Sequence, residues 1–185
     1  MDKYYYLAAE LPFLSFGLEP GISRDGFLNE VKKWLSEKEM NILLKAEIND
    51  FSYDKTVPEI LRAYKKFEYN LRLELSDLRK AKISGKEYSK PEDIYIEEKE
   101  KSPLDIEKNL LLLRWRKIEE EETGHCFDLS FLIAYFLKLQ VLEKLFTFDK
   151  QKGRGKFNFL CRKAVESAEG IDKEFTLKET ITKIQ

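Results

Sequence analysis

Apolar residues in this chain recur mostly three and four positions apart, the spacing of one helix face. Ser23 reads as the N-cap of a short helix to about Leu35, with Phe27, Leu28, Val31, Trp34 and Leu35 on its apolar side. Ser36 and Glu39 have capping-box spacing and open a second helix carrying Met40, Leu43 and Leu44. Thr56-Val57-Pro58-Glu59 has the same cap-to-glutamate spacing, with proline tolerated in the first turn. From there Ile60, Tyr64, Phe67, Leu71, Leu75 and Leu78 form one stripe, predicting a long helix to about Ile83. Ser102-Pro103 begins another helix, with Asp105 suited to its positive end. Ile106, Leu110 and Leu113, together with Leu111, Trp115 and Ile118, widen its apolar face. Gly124 breaks it. Asp128 then caps a helix from Leu129 to about Phe148 that is apolar on most sides and therefore central.

Less regular stretches lie between these elements. Residues 4–16 are aromatic and apolar but interrupted by Pro12, and read as a buried extended or irregular lead-in. Residues 49–55 form a polar turn. Residues 85–101 are charged, carry Pro91 and read as a surface connection. Gly153 and Gly155 mark a turn before a last helix with Phe157, Leu160, Cys161, Ala164 and Val165, ending near Gly170, and the tail from Ile171 reads as frayed. Strand patterning is nearly absent after residue 16. The expected fold is mostly α: an antiparallel helical bundle with an irregular or short extended N-terminal segment. The expected organisation is one all-helical domain over 1–185, or two helical lobes joined near 85–101.

Charge and composition narrow the function. The 33 basic and 34 acidic residues balance to −1, which provides no bulk attraction to nucleic acid or anionic lipid. The uncharged run from Leu129 to Leu137 stops at Lys138, far short of the roughly 20 residues of a spanning helix. Direct membrane insertion is therefore not expected. Cys126 and Cys161, without CxxC spacing, fit a reducing cytoplasm, and the N-terminus lacks a basic, cleavable leader pattern.

The stretch EEEETGHCFDLS holds the most suggestive chemistry: Glu119–Glu122, then His125 and Cys126. A metal centre needs more ligands than His125 and a Glu121 one turn earlier, and His125 is the only histidine. Adjacent side chains diverge, so His125 and Cys126 make a poor nucleophile–base pair. Four successive carboxylates spread around a helix turn and do not converge. The plainer reading is a corner between helices, with His125 capping carbonyls or pairing with a carboxylate. Cys161 reads as buried filler on an apolar face. Gly153-Arg154-Gly155-Lys156 lacks phosphate-loop spacing, although Lys150, Lys152, Arg154 and Lys156 form a basic cluster that an acidic partner surface would suit. Arg72, Arg79, Arg114 and Arg116 lie beside apolar stripes, where half-buried ion pairs with Glu68 or Glu107 are expected, and bundle cross-linking is preferred to a shared pocket. Catalytic, cofactor and metal residues are all expected to be none.

Four blocks carry a resemblance: YYYLAAELPFLSFG (4–17), LRAYKKFEYNLRLELSDLRKAK (61–82), SPLDIEKNLLLLRW (102–115) and GHCFDLSFLIAYFLKLQVLEKLFTFDKQKGR (124–154). In this order they resemble a small bacterial family encoded among V/A-type ATPase subunits. A more distant similarity is to the central-stalk C subunit of these rotary ATPases (the d subunit in eukaryotes), a helical funnel between the central shaft and the membrane ring. Arg79-Lys80-Ala81-Lys82 with Gly85 fits the ending of its repeats. Glu68-Tyr69-Asn70-Leu71 shortens their acid-x-x-Asn-Leu pattern. Leu132 to Lys144 resembles another repeat's long helix, and Ala63-Tyr64 and Ala134-Tyr135 hint at duplication. The chain is much shorter than that funnel protein, so the resemblance implies only part of such a funnel. The resemblance implies a non-catalytic accessory or central-stalk component of a V/A-type ATPase, a part of the ion-transport machine that acts by protein–protein contact. Its partners would be the shaft or membrane ring, its place cytoplasmic and peripheral to the inner membrane, and it would bind no nucleic acid and no cofactor. The alternatives are a stand-alone adaptor or assembly factor, and a metal- or thiol-dependent hydrolase.

Overall fold

The computed structural model describes residues 4–52, 54–85, 102–148 and 153–165. These hold helices and no strand, as the periodicity predicts. In order they are α1 (Tyr5–Glu10), α2 (Arg24–Val31), α3 (Glu37–Leu44), α4 (Glu59–Ser84), α5 (Pro103–Glu122), α6 (Leu129–Phe146) and α7 (153–165). The chain divides into two compact units, Met1–Phe146 and Thr147–Gln185. The first contains α1 to α6 and the second contains α7. The flanks of the charged connection, α4 and α5, pack against each other within the first unit. Residues 86–101, and the last helix's end and tail beyond 165, lie outside the described residues.

α6 is the axis of the first unit and touches α2, α3, α4 and α5. Every residue from Leu132 to Leu142 is buried, which explains why its pattern is apolar on most sides. No helix among the described residues is long and apolar enough to cross a membrane. Leu71 of α4 and Leu110 of α5 form a further core cluster, flanked by Phe67, Leu75, Ile106 and Leu113. Phe27 of α2 stacks on Tyr135 and Phe136 of α6, with ring centroids 5.1 and 5.6 Å apart.

Most helix starts obey their sequence signals. The Ser23 hydroxyl accepts from Gly26 N–H, and Ser36/Glu39 and Ser102/Asp105 make reciprocal capping boxes. Gly85 ends α4 in the left-handed conformation at φ 65°.

Several expectations are corrected. Residues 4–16 are not irregular throughout: the short α1 forms first, Leu11 is extended, and the irregular stretch begins there. Pro12 terminates the helix rather than preventing it, because the residue before proline avoids the helical region. Tyr5, Tyr6 and Phe13 are exposed, not buried. α2 stops at Val31, leaving Trp34 outside it and exposed. Thr56 does not cap α4. Its hydroxyl and amide both donate to Asp54 Oδ1, at 2.6 and 2.8 Å, so Pro58 occupies the N-cap. Gly153 and Gly155 lie within α7 rather than in a turn, since two glycines in a first turn cost only about 1 kcal/mol each. Cys161 is exposed, because every residue of α7 is exposed.

Replacing the fully buried Leu137 by alanine is expected to lower unfolding free energy by about 3 kcal/mol. Tyr6→Ala, on the exposed side of α1, should change it by less than about 0.5 kcal/mol in the same urea titration.

Candidate functional site

A buried ionic cluster lies where α4 faces α5. α4 places Tyr64, Glu68 and Arg72 at successive four-residue steps, so all three share one face. α5 places Arg114 opposite them. Glu68 is fully buried. Its Oε2 accepts from Arg114 Nε at 2.9 Å and its Oε1 from Arg114 Nη2 at 3.0 Å, a two-point fork across the helix pair. The same Oε1 accepts from Arg72 Nε at 2.9 Å. One buried carboxylate thus serves two guanidiniums. Burial alone would lower the Arg114 pKa, but the Glu68 hydrogen bonds and charge outweigh it and raise it. Burial, then the negative charge of Glu68, pushes the Tyr64 phenol well above its ordinary value.

The cluster also secures the chain between α3 and α4. Arg72 Nη2 donates to Asn49 O at 3.1 Å, and its guanidinium carbon lies 4.7 Å from the centre of the Phe51 ring. Tyr64 Oη donates to Ile48 O at 3.1 Å. From the other side, Gln140 of α6 donates to Ala46 O at 2.7 Å and accepts from Ile48 N–H at 3.3 Å. Lys65 donates to Asp50 at 2.6 Å. Partial burial pushes the Asp50 carboxyl up, but the Lys65 ammonium and the Ser52 amide and hydroxyl together hold it below its ordinary 3.8. Every buried side-chain polar atom among the described residues has a hydrogen-bond partner.

Beside this cluster opens a cleft of about 300 Å³ lined by Asn49, Arg72, Arg79, Glu107, Arg114 and Lys144, with Leu75 and Leu110 as its apolar wall. The arginines beside the apolar stripes therefore separate. Arg72 pairs with Glu68 as its four-residue spacing suggests, Arg114 reaches the same carboxylate from α5, and Arg79 and Glu107 line the cleft without forming an ion pair to each other. Arg116 is exposed and outside it. Lys144 and Asn49 were not legible as members. For Lys144 the one signal was a polar residue in the mostly apolar α6, which also marks Lys138 and Gln140; Asn49 lies in an irregular segment and had none.

The His125 region is a corner. Thr123 caps the end of α5, Gly124 has φ 92°, and His125 N–H donates to Glu122 O at 2.9 Å. His125 Nδ1 lies 2.5 Å from Asp128 Oδ2, while Asp128 Oδ1 accepts from Phe131 N–H at 2.8 Å and starts α6. A carboxylate only accepts, so Nδ1 carries the proton. Glu122 pairs with Lys138, which also lies 5.3 Å from the centre of the Trp115 ring. Glu121 and Glu120 pair with Lys117, which they hold above its ordinary pKa, Glu121 most strongly. Cys126 is exposed. Among the described residues no three His, Cys, Asp or Glu side chains are grouped to hold a metal ion.

A family model described as a protein of unknown function (DUF2764) matches residues 85–167, the stretch that holds α5, α6 and α7. No curated protein and no solved structure matches the chain.

Glu68→Gln should destabilise the protein by about 3–5 kcal/mol, because it leaves two guanidiniums short of a buried countercharge. Replacing Glu68 and Arg114 together by leucine and methionine should recover most of that loss, measured by urea unfolding. Acid should act through Asp50. The folded carboxyl binds its proton less readily than the unfolded one, so its stabilisation is complete above the ordinary 3.8 and is lost as pH falls through the lowered value. Lys65→Met should flatten that acid limb of the stability curve.

Proposed function

We propose that this chain is a non-catalytic component of a V/A-type rotary ATPase, similar to its central-stalk C subunit and working by contact with the central shaft or membrane ring. The assignment to that machine rests on the four sequence blocks and their order. Contact as its mode of action is supported chiefly by α7. All of α7 is exposed, including Phe157, Phe159, Leu160 and Val165. Phe157, Leu160, Cys161 and Ala164 recur at one-face spacing, flanked by Arg154, Lys156, Arg162 and Lys163, with no acidic residue in the segment. An apolar stripe with a basic border suits a partner groove that is apolar at its centre and acidic at its rim.

The helical body of the first unit supports the same reading. Its buried polar groups are engaged with one another, which favours a rigid spacer over a reactive centre. In this reading the protein transmits force or sets spacing through its shape. It resides in the cytoplasm, held to the inner membrane through the complex.

Affinity isolation of the tagged protein from its native host tests the proposal. The expected result is recovery of ATPase subunits in fixed ratio with the intact complex. Phe157→Ala with Leu160→Ala should reduce that recovery about tenfold while leaving the urea midpoint of the first unit unchanged. Recovery with incomplete particles alone would identify an assembly factor, and recovery of no ATPase subunit would refute the assignment.

A further inference from the structure

The cleft beside Glu68 has a charge imbalance that bundle packing does not require. Three arginines, Arg72, Arg79 and Arg114, line it against one carboxylate, Glu107; Lys144 stands beside them with an interaction of its own. The carboxylate behind it, Glu68, is already shared by Arg72 and Arg114. Arg79 makes no hydrogen bond or ion pair among the described residues, and Arg72 Nη1 has no acceptor there. Arg114 is only 6% exposed, so its charge acts in a poorly screened setting. Guanidinium donors held in place by a buried carboxylate are preorganised for a planar or tetrahedral oxyanion.

We infer that this cleft is a binding site for a small phosphoryl compound. The phosphoryl oxygens accept from Arg72 Nη1 and Arg79, while Arg114, whose nitrogens already donate to Glu68 and to Leu110 O, adds its charge from behind. The carbon body of an organic phosphate rests on Leu75 and Leu110, the apolar wall. At about 300 Å³ the cleft is at the small end of ligand pockets, enough for a phosphorylated three- or four-carbon compound and too small for a nucleotide. The inference is independent of any role in the ATPase. It concerns the α4–α5 pair alone, whereas the proposed partner contact lies on α7.

The test is titration of the full chain with inorganic phosphate and with glycerol 3-phosphate at constant ionic strength, observed by calorimetry and by the arginine Nε–H resonances. Saturable binding of either compound is expected, with the Arg72 and Arg114 resonances shifting. Tighter binding of glycerol 3-phosphate assigns the site to organic phosphates, and equal binding assigns it to phosphate itself. Both results support the phosphoryl site. Arg79→Gln, at an exposed position that folding does not need, should weaken binding about tenfold without moving the unfolding midpoint. Absence of saturable binding, or binding that Arg79→Gln leaves unchanged, would overturn the inference.

Discussion

Glu68 is the constraint on which the first unit's arrangement depends. A carboxylate removed entirely from water is tolerable only with close positive partners and filled lone pairs, and both are supplied by side chains that must then stay in place. Arg114 grips it from α5 by two bonds, fixing the register between the two longest helices. Arg72 grips it from α4 and carries the same geometry outward to Asn49 and Phe51. Net stability from such a buried group is small, since desolvation offsets most of the attraction. Its contribution is selective: an α4–α5 pairing shifted by one turn would strand a charge in an apolar seam.

The segment 46–52 shows how that geometry propagates. It has no regular structure, so its backbone groups need partners from elsewhere. Tyr64 and Arg72 provide them from α4, and Gln140 provides them from α6. A polar residue in the middle of the most buried helix is thus a docking point for backbone. Lys138 is similar, meeting Glu122 at the corner where α5 gives way to α6. These buried polar residues account for much of the conspicuous charge near the apolar helices without requiring catalysis.

What remains on the surface has a different character. The cleft keeps an excess of positive charge because two arginines share one acid, and α7 displays apolar side chains beside basic ones. The first is a compact, arginine-lined hollow and the second an exposed apolar stripe with a basic border. They belong to different units of the chain, so substitutions in one can be made without touching the other. The corner at His125 offers neither. Its imidazole is tied to the cap of α6 and its neighbouring cysteine projects into solvent.

Helices, their starts and the centrality of α6 were readable from residue spacing, because periodicity and capping are local physics: Ser36 needs only Glu39, and Ser102 only Asp105. The Glu68–Arg72 pair was readable for the same reason, being four residues apart on one helix. The misreadings involve competition for a partner or for cover. Thr56 lost its cap role to Asp54, and Cys161 lies on a stripe that looks buried but is open. The Arg114 fork spans 46 positions in sequence, and the cleft joins residues from the 49 region, α4, α5 and α6. Local spacing contains no information about which faces meet, so the sharing of one acid by two bases, and the charge excess that follows, were decided only when the helices packed.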